Sequence, residues 1–211
     1  MVWIRILGTL VAFIYGCSTA FRRKTPLFYK IAFFGIASCT LGTCYYVLAL
    51  WLRPGVVEGF HVGYFGYIGM FFFLFSSYYG AMNSIADGKE KKYRPYRLAA
   101  CVLPVLLIGF AVMKIWQEGI LENTLLIIFL VPSAATIYFA GKHLIMPDVE
   151  MGIIATMRPY NAVIVALCIT QMVLLFGNTE GAWAWAAEAV NAVLVAASLP
   201  LARKGVRKWF I

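Results

Sequence analysis

Apolar residues fall in seven long stretches, at roughly 2–21, 27–52, 60–83, 97–116, 124–145, 159–177 and 183–202, and most charged residues lie in the short segments between them. About 20 residues rising 1.5 Å each are needed to cross roughly 30 Å of hydrocarbon, and each stretch is close to that length. Backbone amides have no water to bond inside a bilayer, so each stretch is expected to be a helix. Runs such as MFFFLF and LLIIFLV lack the period-two alternation of a membrane barrel, which excludes that architecture. The pattern therefore predicts an all-α integral membrane protein, with about seven transmembrane helices in one bundle and residues 1–211 forming a single polytopic domain.

Composition agrees: 63% of residues are hydrophobic, 13% are charged and the mean hydropathy is +0.83, against about 25% charged in soluble domains. A water-soluble fold is excluded. The net charge of +9 would suggest nucleic acid in a soluble chain, but here the cations sort by side of the membrane, and no nucleic-acid partner is expected.

That sorting predicts orientation, because Lys and Arg in short loops resist translocation. One side collects fifteen cations, including Arg22, Arg23, Lys24, Arg94, Lys142, Arg158, Arg203 and Arg207, and the other has three, Arg5, Arg53 and Lys114. The expected arrangement has the N-terminus outside and the C-terminus cytoplasmic, in the plasma (cell inner) membrane. Trp3, Trp51, Trp116, Trp183 and Trp185 then form an outer interfacial belt, and Lys114 snorkels outward. His143 is expected at the cytoplasmic interface beside Lys142. Arg22, Arg23 and Lys24 follow the first stretch and only Arg5 precedes its apolar run, the reverse of a secretory signal, so the stretch reads as a retained helix.

The basic loop at 83–95 and the C-terminal RKGVRKWFI are expected to meet anionic lipid headgroups or a cytoplasmic protein partner. KTPLFYK, YRPYR and MRPYN place a proline at the cytoplasmic start of the second, fourth and sixth helices, where a missing N–H is tolerated. Pro104 and Pro132 are expected to kink the fourth and fifth helices, with Ser133 or Thr136 serving freed carbonyls. Gly59, Gly63, Gly66 and Gly69 make the third helix the expected packing centre.

Ionisable groups within hydrocarbon are costly and each asks for an explanation. Glu188 is the outstanding one. It lies about 8 Å below the outer edge, with Asn191 about 12 Å deep on the same face, and Gln171 of the antiparallel sixth helix about 9 Å deep. Tyr45, Tyr64 and Tyr67 reach similar depth. These six residues are the candidate lining of an outer-half pocket for a small polar or amphipathic ligand.

Enzyme signatures are absent: there is no HExxH, no GxSxG and no glycine-rich phosphate loop. Two histidines and five scattered cysteines predict no metal site, and no cofactor is expected. The first lysine after Glu188 is Lys204 at the helix end, which excludes a retinal Schiff base. The expectation is a sensor-like or receptor-like binding protein, with an alternating-access transporter as the alternative and a lipid-modifying enzyme ranked last. Receptors, small-solute transporters, sensory modules and some lipid hydrolases share a seven-helix layout, so architecture assigns no residue a role.

Overall fold

The structure is a computed structural model describing residues 2–52, 61–82, 91–121, 123–147, 152–177 and 181–207. Among these residues it is all helical. The elements are α1 (Val2–Ala20), α2 (Leu27–Leu52), α3 (Gly63–Ser77), α4 (Lys91–Glu118), α5 (Thr124–Ile145), α6 (Ile153–Phe176) and α7 (Gly181–Arg207). Six are long and apolar enough to cross a membrane. The remaining one, α3, continues through a π turn at Tyr78–Met82.

Several boundaries differ from the hydropathy pattern for identifiable reasons. The α4 helix starts before residue 97: Pro95 occupies its first turn, where the absent N–H costs nothing. Its α-helical pieces, Arg94–Ala100 and Val102–Glu118, meet at Cys101. Pro104 sits four residues after Ala100, whose carbonyl a proline ring crowds, so the break falls before the proline. The α6 helix begins at Ile153, one residue after Gly152 at φ 73°, which leaves Pro159 inside the helix instead of in its first turn. The α7 helix runs past residue 202 to Arg207, because amphipathic Lys and Arg stems continue a helix into the interface. In α5, Ser133 and Thr136 donate to the carbonyls of Phe129 and Pro132 at 2.6 and 2.7 Å, beside the break in the ladder at Pro132.

Packing closes six helices into a ring in the order α1, α2, α3, α5, α6, α7 and back to α1, while α4 packs chiefly on α5 from outside. On α1 the division of faces is clear. Trp3, Leu7, Val11 and Ile14 are exposed, at the three- and four-residue spacing of one helix face. Gly8, Ala12 and Gly16 are buried on the opposite face. The core-facing side is thus the small-residue side, as expected where lipid is as apolar as leucine and close backbone approach drives association. On α4, Leu103, Leu106, Val112 and Met113 are exposed apolar side chains.

Two close approaches set the ring. A Cβ added to Gly66 would lie 2.5 Å from the Cα of Gly42, so α3 meets α2 backbone to backbone. A Cβ added to Gly8 would lie 2.6 Å from the Cα of Ala192, which brings α1 against α7. Gly63 also approaches α2, and Gly59 lies outside the described residues.

These approaches predict that Gly66→Leu destabilises the folded protein by about 1–3 kcal/mol, as over-packing does, and lowers the thermal midpoint in mild detergent. Gly109→Ala, whose added Cβ meets open space, is expected to leave the midpoint unchanged or slightly raised. Equal behaviour of the two variants would count against the α2–α3 contact.

Candidate functional site

Arg5 lies about one turn into α1, and Glu188 about two turns into α7. The Gly8–Ala192 approach holds these two stretches side by side. Arg5 Nε donates to Glu188 Oε2 at 2.9 Å and Nη2 pairs with Oε1, giving a two-pronged ion pair. The two side chains are only 13% and 6% exposed. Arg5 Nη1 also donates to the Tyr67 hydroxyl at 3.1 Å. That hydroxyl lies 3.3 Å from Thr43 Oγ1, and Thr43 in turn donates to the Cys39 carbonyl at 2.9 Å. One polar network therefore ties α1, α2, α3 and α7.

Desolvating two charges costs several kcal/mol per ion, which only good geometry and extra hydrogen bonds offset. Both conditions are met here. The planar guanidinium matches the carboxylate, and the third nitrogen is taken up by a phenol instead of being left bare.

Around this pair the predicted site residues divide. Tyr67 is 2% exposed and belongs to the network directly. Tyr64 is half-buried, with its ring 6.4 Å from that of Tyr67 and 4.5 Å from His61. Gln171 and Asn191 are 1% and 2% exposed, and Gln171 Nε2 and Asn191 Oδ1 have no hydrogen-bond partner among the described residues. Tyr45 is not brought in: it is 42% exposed, whereas its neighbour Tyr46 stacks on His61 at 4.7 Å.

Arg5 and Thr43 are the site residues that sequence reasoning passed over. Charge sorting counts Arg5 only as one of three outer-side cations, yet it lies three residues before Gly8, on the small-residue face of α1. That spacing, together with a lone embedded acid in α7, was the available signal.

A second buried polar group lies toward the opposite end of the same helices. The Tyr78 hydroxyl donates to Asn161 Oδ1 at 2.7 Å, and Asn161 Nδ2 is buried without a partner among the described residues. Tyr160 packs on Tyr78 and Phe28, with ring centres 6.2 and 5.5 Å away. Lys142 and His143, in the last turn of α5, are 1% and 0% exposed, buried against neighbouring helices. The Lys142 ammonium lies 5.3 Å from the Phe139 ring centre, and His143 tilts against Tyr78 at 6.0 Å. Between the two polar groups Phe71, Phe129, Ile164 and Leu167 are fully buried, with Phe71 and Phe129 edge to face at 5.5 Å.

Removing one member of the ion pair leaves a buried charge uncompensated. Arg5→Met or Glu188→Leu alone is expected to cost about 3–5 kcal/mol, and the double variant to recover most of that loss. Thermal unfolding of all four proteins in one detergent measures the coupling, and simple additivity of the two losses would contradict it.

No family model, curated protein or solved structure matches the chain, so the reading of this site rests on its own chemistry.

Proposed function

We propose that this protein is a membrane-embedded receptor for a small polar or amphipathic ligand, held beside the Arg5–Glu188 pair in the outer half of the bundle. One observation carries the reading. Asn191, three residues after Glu188 on α7, buries an amide acceptor, Oδ1, and Gln171 on α6 buries an amide donor, Nε2, and among the described residues neither atom has a protein partner. Buried polar atoms are ordinarily bonded, and a ligand is one physical reason for two that are not. The ligand chemistry follows: an acceptor such as a carbonyl, carboxylate or hydroxyl oxygen for Gln171, and a donor for Asn191. Tyr64 and Tyr67 supply aromatic walls.

The ion pair gives such a ligand something to act on. A buried pair contributes little net stability compared with apolar side chains of the same volume, and ionisable groups in spans are default functional candidates. A ligand bearing a carboxylate competes for the Arg5 guanidinium, and loosening Glu188 weakens the joint that closes α1 on α7.

Orientation is part of the proposal. Fifteen cations against three favour the Arg22 end as cytoplasmic. In this reading the signal leaves through the basic cytoplasmic face, toward a protein partner or anionic lipid. Residues 83–90 of the predicted contact loop lie outside the described residues.

A carrier is the second reading, favoured by the buried Tyr78–Asn161 group beyond the apolar layer. Alternating access would require a polar station in each half of the bundle.

Three results test the proposal. Native mass spectrometry of protein released in gentle detergent is expected to show a small molecule on wild type that is lost in Glu188→Gln; a bare chain, or the same lipid on both, returns Glu188 to packing. In proteoliposomes, binding of labelled amino acids or sugars without counterflow supports the receptor, and saturable counterflow supports the carrier. Single cysteines at positions 23 and 121 are expected to label from inside and outside respectively, and the reverse pattern would invert the orientation.

A further inference from the structure

The turn between α1 and α2 and the last turn of α7 enclose a cavity of about 310 Å³ at the Arg22 end of the bundle. Five cations line it: Arg22, Arg23 and Lys24 from the turn, and Arg203 and Arg207 from α7. Among the described residues no carboxylate lines it. Like charges held this close repel one another, and in a chain of 18 cations and 9 acids the uneven distribution leaves them without a counter-charge in the cavity wall.

The turn is built, not loose. Lys24 adopts φ 67°, which a non-glycine residue rarely does and which tertiary context must impose. Thr25 fixes it from one side, its hydroxyl donating to the Arg22 carbonyl at 2.8 Å and lying 3.3 Å from the Thr19 carbonyl. Beneath, the Thr19 and Tyr29 hydroxyls are 2.6 Å apart, closing the floor of the cavity.

We infer that this cavity binds a phosphate-bearing anion, gripped by the arginines of two chain segments 180 residues apart. Guanidinium forks match phosphate oxygens in pairs, and a volume near 300 Å³ is at the small end for ligand sites, enough for a phosphate with a short polar appendage. The phosphate belongs either to a lipid headgroup or to a soluble phosphate compound. Phe21 and Leu27, each 66% exposed at the ends of the same turn, favour the headgroup by giving its acyl chains an apolar surface beside the mouth. This site stands apart from the Arg5–Glu188 centre and does not rest on the function proposed for it.

Native mass spectrometry of the full chain in mild detergent, titrated separately with phosphatidylglycerol, phosphatidylcholine and inorganic pyrophosphate, tests the inference. The variants are Arg203→Gln/Arg207→Gln and, as a control that removes two cations outside the cavity wall, Lys91→Gln/Arg94→Gln. Phosphatidylglycerol binding is expected to fall about tenfold or more in the first and to hold in the second, since each interfacial cation is worth roughly 1 kcal/mol toward anionic lipid. Pyrophosphate bound in place of the lipid, with the same dependence on Arg203 and Arg207, sustains the site and assigns a soluble source. Equal loss in both variants, or no loss of either anion in the first, overturns it. Should the first variant fail to fold, Arg23→Gln/Lys24→Gly removes two cavity charges at a position where glycine suits the backbone, and the same outcomes apply.

Discussion

Burying an ionised side chain among apolar helices is costly, and the packing of α1, α2, α3 and α7 makes it tolerable for Arg5 and Glu188. Arg5 and Glu188 neutralise each other only because α1 and α7 approach closely, and they approach closely only because Gly8 faces Ala192. Tyr67 completes the shell around the guanidinium, which requires α3 to be set by its glycine contact with α2. Small residues and charged residues thus serve one end. The former let backbones meet, and the latter make the meeting specific, since a displaced helix would strand a charge.

Beyond that centre the interior alternates by depth. A polar layer with the ion pair, a dry layer of Phe71, Phe129, Ile164 and Leu167, and a second polar layer with Tyr78 and Asn161 follow one another along the same helices. Phe71 and Phe129 pack edge to face in this apolar layer.

The sequence made some of this legible and hid the rest for physical reasons. Apolar runs reveal spans because bilayer thickness sets their length, and the six long helices follow from that alone. Glu188, Asn191 and Gln171 are conspicuous because polar residues are rare in such runs, and all three are buried. Faces were harder to read. In α2, which is apolar on nearly every side, nothing local tells Tyr45 from Tyr46, and only the position of His61 across the groove decides which ring turns inward. Charge sorting counts Arg5 only as an outer-side cation, because its partner is 183 positions away. The π turn after Ser77 carries no sequence mark, and Ser77 bonds the Leu74 carbonyl while the adjacent Tyr78 reaches across to Asn161.

The closure of α1 on α7 also has a bearing on how the molecule is made. The two helices that complete the ring carry Arg5 and Glu188, 183 positions apart, and at about 5–20 residues per second roughly ten to forty seconds of synthesis separate them. Throughout that interval the arginine must stay near the headgroups, or sit shielded by whatever membrane-insertion machinery holds the early helices. Sequence neighbours such as α1 with α2 and α2 with α3 can pair as they emerge, but the seam between α1 and α7 stays open until α7 arrives. Closure of the ring is therefore a late event, timed by the arrival of one carboxylate.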